Sequence, residues 1–477
     1  MFKKLKQTLL LVVMFHGGAM YAGAQEASKL TLGDALKMAM QNNTNILNSD
    51  LDLKIAQKKV WETLATGLPQ INAKGSYQHI FKVPTLNFGG QTKLSKENVP
   101  WDPATQTGTT SSVTLLDGET INLISEAGSP TQLALPNSTV FDFTLSQLIF
   151  SGSYFVGLQA TKVFYGLTKE NAEKSKLDVI ETVTNTYNMI RLAEESRKIL
   201  NQNLENINKT LYEISEMNKQ GFLEKTDVDQ LELTANTVRN AMNQIDSNLD
   251  MGYRLLKIQL GMDETAKVEL SDILESDESL SKSSLKLISE TFSIDQNLDY
   301  KLIQTAEKAA KLELNLAKTS YMPTISGFYN HTEKLKAPAI DFTPKDVVGV
   351  SLSLPIFSSG QRLSTVAQKK MALEKAQNTT RFVSNSLSMQ ASQYQNDLKL
   401  KLEKYQNQKK SKELSDDIYQ RTLVKYKQGM ASSMDLMTSQ NQYLTNLTNY
   451  YQSIYDLQDA KSKLEKLYNI NQEVENK

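Results

Sequence analysis

The stretch YKQGMASSMDLM, residues 426–437, interrupts a long helical pattern, and its opening is echoed by KQGFLEKTDV at residues 219–228. In both, a Lys-Gln-Gly closes one apolar-periodic run, and an Asp stands six residues after the Gly: Asp227 after Gly221, Asp435 after Gly429. Gly takes up the left-handed conformation that commonly ends a helix at no steric cost. A carboxylate in the first turn of the following helix meets the positive end of its dipole. Each break therefore reads as a helix-turn-helix tip.

Outward from the tips, the apolar positions run Leu200, Leu204, Ile207, Leu211 and Ile214 before the first Gly, then Leu231, Ala235, Val238, Met242, Ile245 and Leu249 after it. Steps of four and three form a coiled-coil seam, narrower than the stripe of a globular helix. Tyr450, Ile454, Leu457, Leu464 and Leu467 repeat it after the second Gly. Proline costs about 3 kcal/mol inside a helix. All ten prolines fall between Pro69 and Pro136 or between Pro323 and Pro355. The remaining segments are thus free to form very long helices, and one over 153–217 would reach on the order of 95 Å at about 1.5 Å per residue.

Inside the two proline windows the period changes to two. Ile71, Ala73, Gly75 and Tyr77 alternate with Gln70, Asn72, Lys74, Ser76 and Gln78; Phe141, Phe143 and Leu145 with Asp142, Thr144 and Ser146. Ile325, Gly327 and Tyr329, then Val348, Val350, Leu352 and Leu354, do the same. Runs of about ten residues with this dyad pattern suit transmembrane barrel strands. A surface strand of a soluble sandwich has the same pattern.

The two halves read as one unit written twice: helix, strand, loop, strand, long helix, Gly turn, long helix. The turn glycines are 208 residues apart and the strand starts at Pro69 and Pro323 are 254 apart, the surplus falling in unequal loops. The expected organisation is a signal peptide at 1–24, a first repeat at 25–262, a linker at 263–295 that wraps the waist of the helices, a second repeat at 296–470, and a C-terminal tail at 471–477. The loop 83–137, rich in Thr, Ser and Gly, is far longer than its counterpart at 335–346 and reads either as a cap on the strands' outer end or as disorder.

The totals narrow the function. Lys+Arg 53 balance Asp+Glu 53, which leaves no basic excess for nucleic acid. There is no Cys, and His16, His79 and His331 are the three His, so thiol nucleophiles and Cys/His zinc sites are excluded. No metal, cofactor or catalytic site is expected: His79 and His331 read as structural, and the Ser-rich stretches lack a nucleophile elbow. The basic MFKKLKQ, apolar TLLLVVMF and small-residue Ala22-Gly23-Ala24 read as an export signal. No later stretch approaches the roughly 20 apolar residues of a membrane helix. Any membrane crossing must be by strands, and four strands cannot close a barrel whose smallest closed forms have about eight. The chains must then share one, and twelve strands from a trimer leave a lumen.

The chain resembles the TolC-type outer-membrane efflux protein family. The resemblance rests on Asn43 to Ile46 ahead of the first helix, Leu68-Pro69 at a strand start, Ser353 to Phe357 (SLPIF) followed by Gly360, and Tyr426-x-x-Gly429 with Asp435. It implies a mixed α and β protein: a trimeric outer-membrane β-barrel, four strands per chain and twelve in total, continued by a long α-helical coiled-coil periplasmic tunnel. It implies a passive outer-membrane channel of a tripartite efflux or secretion system, whose partners are outer-membrane lipid, a periplasmic adaptor and an inner-membrane transporter. Asp227, Tyr426, Asp435 and Thr438 would line the periplasmic entrance. Lys219, Gly221, Phe222, Lys427, Gly429 and Met430 would form tips that contact the adaptor, with Lys74 and Asp142 in the barrel lumen. The family pattern has an Arg two residues after the turn Gly and a second carboxylate three residues after the Asp; here those places hold Ala431 and Thr438. Lys225, Lys425 and Lys427 are the candidates to replace the Arg in closing the entrance. The alternative is a periplasmic coiled-coil interaction protein whose strands form a small soluble sheet.

Overall fold

A computed structural model describes residues 28–87, 91–104, 107–126, 130–132, 134–272, 277–337 and 341–470. The expected signal peptide and C-terminal tail lie outside the described residues. The described residues open with β1 (Ser28–Leu30), α1 (Leu32–Asn42), α2 (Thr44–Ala65) and β2 (Gln70–His79). The long loop holds β3 (Thr85–Asn87), β4 (Thr92–Ser95), β5 (Gly108–Thr114), β6 (Thr120–Ser125) and β7 (Pro130–Gln132). There follow β8 (Asn137–Ser151), α3 (Gly152–Lys219), α4 (Lys225–Leu260), β9 (Val268–Leu270), α5 (Asp277–Ser289) and α6 (Leu298–Thr319). The second strand pair is β10 (Thr324–Lys334) and β11 (Asp346–Ser353), and the last helices are α7 (Gln361–Lys427) and α8 (Ser433–Leu467). The proline-free segments give helices of 68 and 67 residues, α3 and α7.

By compactness the chain divides into two units. One comprises Met1–Gln57, Val163–Ala309 and Glu374–Lys477; the other comprises Lys58–Lys162 and Ala310–Leu373.

The first unit holds three buried apolar clusters. The seam residues Leu200, Ile207 and Ile214 of α3 meet Leu231, Ala235 and Val238 of α4, as their spacing requires, and α8 joins them through Leu436 and Leu447. A second cluster sets Leu280 and Leu287 of α5 against Leu398 of α7 and Leu457 and Leu464 of α8. The Asp277 carboxylate, at the start of α5, accepts from the Tyr405 hydroxyl, from Lys409 Nζ at 2.6 Å and from the Tyr450 hydroxyl at 3.3 Å. The linker thereby holds α7 and α8 through one side chain. It also supplies β9, which pairs in parallel with β1.

A helix precedes the one that the sequence reading placed first. Thr31 caps α1, its hydroxyl accepting from the Asp34 N–H at 3.1 Å, and the chain breaks at the extended Asn43 before α2. Asn43 accepts from the Asn45 N–H and donates Nδ2 to the Gln259 carbonyl near the end of α4, at 2.7 Å. Asn297, 254 residues on, accepts from the Tyr300 N–H and donates Nδ2 to the Leu467 carbonyl at the end of α8, at 2.8 Å. Their acceptors are 208 residues apart.

The second unit is built on a four-stranded antiparallel sheet in the order β11-β10-β8-β2, whose edge strands β11 and β2 have no further strand partner among the described residues. The register brings the alternation of all four strands into phase. One rung reads Ile71, Leu145, Tyr329, Val348; the next rung but one on the same face continues through Ala73 and Phe143. The opposite face carries Asn72, Thr144 and Asn330, then Lys74, Asp142 and Thr332. On the apolar face Ile71 is 78% and Val348 81% exposed. None of the three buried clusters reaches this unit.

The long loop differs from its sequence reading. Its described residues form a three-stranded antiparallel sheet, β4-β6-β5, and a two-stranded one, β3-β7. Polar strands such as GTTSSVT carry little alternation, so period alone passes over them.

Candidate functional site

The two Lys-Gln-Gly tips have the same backbone. Gly221 has φ 81 and Gly429 φ 74, left-handed values that a side chain would strain. Behind each, a six-residue bridge closes the helix end: the Phe222 N–H donates to the Met217 carbonyl at 3.0 Å, the Met430 N–H to the Lys425 carbonyl at 2.9 Å. This is the Schellman closure expected of a Gly-terminated helix. It leaves Phe222 73% and Met430 66% exposed, one large apolar side chain at each tip.

The next helices begin alike. The Asp435 carboxylate accepts from the Ser432 N–H at 3.0 Å and its hydroxyl at 2.7 Å, while the Ser432 hydroxyl accepts from the Asp435 N–H at 3.1 Å. These bonds, the hydroxyl first and then the backbone, hold the Asp435 carboxyl below the usual carboxylate range. The Glu224 N–H donates to Asp227 at 3.3 Å in the corresponding place. Both aspartates thus sit at the third position of their helices, where a capping box puts its carboxylate.

Here the two tips part. Asp227 Oδ1 also accepts from the hydroxyl of Ser433, so the first tip is bonded to the second. Beside this link the Tyr426 hydroxyl is buried and has no hydrogen-bond partner among the described residues. Burial, and after it the charge of Asp227, raise the pKa of Tyr426. The structure therefore brings Asp227, Tyr426 and Ser433 together, whereas Asp435 caps its own helix and Thr438 lies exposed on the first turns of α8. Ser433 was not singled out in the sequence. It belongs to no motif, and nothing in its spacing announces a bond to a residue 206 positions away.

Of the lysines proposed to replace the missing Arg, Lys427 pairs with Glu213 at 3.3 Å. Lys219 pairs with Glu216 one turn back, at 2.7 Å. In the sheet, Lys74 and Asp142 are direct register partners, and Asp142 accepts from the Thr332 hydroxyl at 2.7 Å. The two histidines take equivalent places at the strand ends. Tyr77 and His79 converge on Asn137 Oδ1 at 3.0 and 2.7 Å; Tyr329 and His331 converge on Asp346 Oδ1 at 2.6 and 2.7 Å. Among the described residues no group of three or more acidic or His side chains could hold a metal ion, and no helix is long and apolar enough to cross a membrane.

Residues 294–469 match the sequence model of the outer membrane efflux protein family. No curated protein sequence matches the chain. Among solved structures, CusC superposes with TM-score 0.69 at 14% identity, covering 95% of each chain. The Campylobacter jejuni CmeC outer membrane channel gives 0.68 at 16%, covering 95% of this chain and 90% of that one. The open state of the Neisseria gonorrhoeae MtrE outer membrane channel gives 0.64 at 15%, covering 92% and 88%. At such identities the likeness shows the fold. The sequence match over residues 294–469 and the fold of the whole described chain both liken it to outer-membrane efflux channels.

Proposed function

We propose that this chain is the outer-membrane channel of a tripartite efflux or secretion system, and that it works as a homotrimer whose twelve strands form a barrel in the outer membrane. The four-stranded sheet carries this reading: its phased apolar face is exposed and its edge strands have no further strand partner among the described residues. Open edges in lipid leave backbone groups unpaired at several kcal/mol each, so the strands need neighbours from other copies. The same exposed face speaks against a soluble periplasmic coiled-coil protein, whose sheet would have to bury it.

The reading extends to a helical tunnel through the periplasm with the Gly-ended tips at its far end, closed or opened there. Asp227, Tyr426, Asp435 and Thr438 line that entrance in three copies, and their carboxylates favour cations. The Asp227 to Ser433 bond takes the place that the family gives to Arg, holding the first tip to the second. Phe222 and Met430, flanked by Gly221, Gly429, Lys219 and Lys427, are the surface offered to a periplasmic adaptor, which joins the channel to an inner-membrane transporter. Lys74 and Asp142 face the lumen.

Duplication is part of the proposal, with repeats at 25–262 and 296–470 joined by 263–295. Three equivalent pairs of contacts support it: the Asn43 and Asn297 bonds, the two tip closures and the two Tyr-x-His clusters. The test is the mature chain purified from membranes in detergent. Light scattering should give three copies, and planar bilayers should show discrete conductance steps. A monodisperse monomer in the aqueous fraction overturns the proposal.

A further inference from the structure

The joints that hold α3 inside the chain have equivalents on α7, α4 and α2 that the chain by itself leaves unmade. α7 repeats α3, and α8 repeats α4, at the 208-residue spacing of the turn glycines. The buried Val179, Val183 and Ile190 recur as the buried Leu387, Ala391 and Leu398, and the buried Gly252, Leu256 and Gln259 as Ala460, Leu464 and Leu467. α6 repeats α2 at the 254-residue spacing of Asn43 and Asn297. Polar bonds hold α3 to α8 and α6. Lys466 pairs with Asp178 and Glu181 at 2.6 and 2.7 Å, and Asn185 donates to Asp459 at 3.1 Å. Lys174 pairs with Asp299, and the Thr305 hydroxyl donates to Glu170 at 3.2 Å. At the equivalent places large apolar side chains stand exposed. Met389 replaces Glu181 and is 68% exposed, Ile258 replaces Lys466 and is 71% exposed, and Phe382 replaces Lys174 and is 72% exposed. Met251 and Leu51, also exposed, replace Asp459 and Thr305.

We infer that a second copy of this chain covers these residues, and that the joint between neighbours repeats the one inside the chain: α7 of one copy packs on α4 and α2 of the next as α3 packs on α8 and α6. Met389 meets the neighbour's Ile258 where Glu181 meets Lys466. Phe382 lies against the neighbour's α2 at Asn45 and Leu51, the equivalents of Asp299 and Thr305. The inference rests on the trimeric reading above and adds which helices meet and by what chemistry. The two surfaces differ, so the contact is heterologous, the kind that closes into a ring. Joints within a chain then alternate with joints between chains. Their chemistry differs for a physical reason. A joint inside the chain has its partners tethered, so half-exposed ion pairs suffice to orient it. A joint between chains must also overcome the lost freedom of separate bodies, and burial of apolar surface is the main favourable term in association.

The chain's own ion pair supplies the test. Ile258→Lys and Met389→Glu each set an unpaired charge into the apolar joint. In a dilution series in detergent, read by light scattering, each should be half-dissociated at a concentration about tenfold or more above wild type. Ile258→Lys/Met389→Glu rebuilds between copies the pair that Lys466 and Glu181 make within one, and should return to within about threefold of wild type. Ile258→Lys/Met389→Lys, with like charges facing, should not. Both residues are exposed in the single chain, so every variant should keep the wild-type helical content by circular dichroism. Double variants that dissociate alike overturn this joint and leave the trimer standing. Single variants as firmly trimeric as wild type also overturn it, and leave the exposed residues to another partner such as the adaptor. A wild-type monomer overturns joint and trimer together.

Discussion

Leu457 and Leu145 are the same side chain in opposite settings. Leu457 on α8 is 0% exposed, packed in the cluster that joins α5, α7 and α8. Leu145 on β8 is 39% exposed, on a rung with Ile71, Tyr329 and Val348, whose outer members Ile71 and Val348 are 78% and 81% exposed. One unit makes its own apolar core, whereas the sheet of the other leaves an apolar face exposed. Hydrophobic residues inside the first unit stabilise the fold, whereas those on the sheet select where it can reside.

This contrast breaks first under substitution of the two leucines. Leu457→Ala removes a fully buried side chain and should lower unfolding stability by about 2–5 kcal/mol, read by chemical denaturation monitored in the helical signal. Leu145→Arg should leave that helical transition in place, but cost about 2–4 kcal/mol if the residue sits near the membrane midplane, read as loss of membrane-inserted trimer. Wild-type insertion of Leu145→Arg would show that the exposed face does not meet lipid.

A smaller effect separates the helical unit's apolar core from its polar latch. Burial pushes the Asp277 carboxyl up, but hydrogen bonds from Lys409, Tyr405 and Tyr450 together hold it below its ordinary value. A carboxyl depressed in the folded state contributes stability that is complete above its unfolded pKa and is lost as pH falls through the folded one. Asp277→Asn should therefore cost about 1–2 kcal/mol near neutral pH, at the lower end because the side chain is partly solvent-screened. Thermal melts should show the gap to wild type closing below about pH 4. A gap that persists there would mean the latch works by packing and not by charge.

The helices, the four long strands and both turns were legible because each rests on a local pattern: a 4-3 seam, a period of two, a Gly before a capping Asp. Their phasing was not, since that Ile71, Leu145, Tyr329 and Val348 form one rung depends on register between strands far apart in sequence. α1 was passed over because its signal is a short Thr31 to Asp34 box ahead of an Asn already assigned to a helix start. The loop sheets escaped because β5 is mostly Thr and Ser, and β6, with Ile121, Leu123 and Ile124, is too short to set a period. At the tips, spacing singled out both aspartates as equals, and only tertiary structure shows that one of them reaches across.

That inequality between Asp227 and Asp435 yields the smallest predicted effect and the most selective one. Ser432 and Ser433 are adjacent hydroxyls with different partners, one capping α8 through Asp435 and the other bonded to Asp227 on the opposite tip. Ser432→Ala removes a helix cap, about 0.5–2 kcal/mol of stability by the usual range, and leaves the link between tips in place. Ser433→Ala removes the link, about 1 kcal/mol for a hydrogen bond, and leaves the cap. If the link holds the entrance shut, Ser433→Ala should raise the open fraction in planar bilayers about fivefold, since 1.4 kcal/mol corresponds to a factor of ten. Ser432→Ala should shift the melting temperature and leave that fraction near wild type. Equal open fractions in the two variants would show that the bond between the tips bears no closing load, and that fraying of α8 alone sets the entrance.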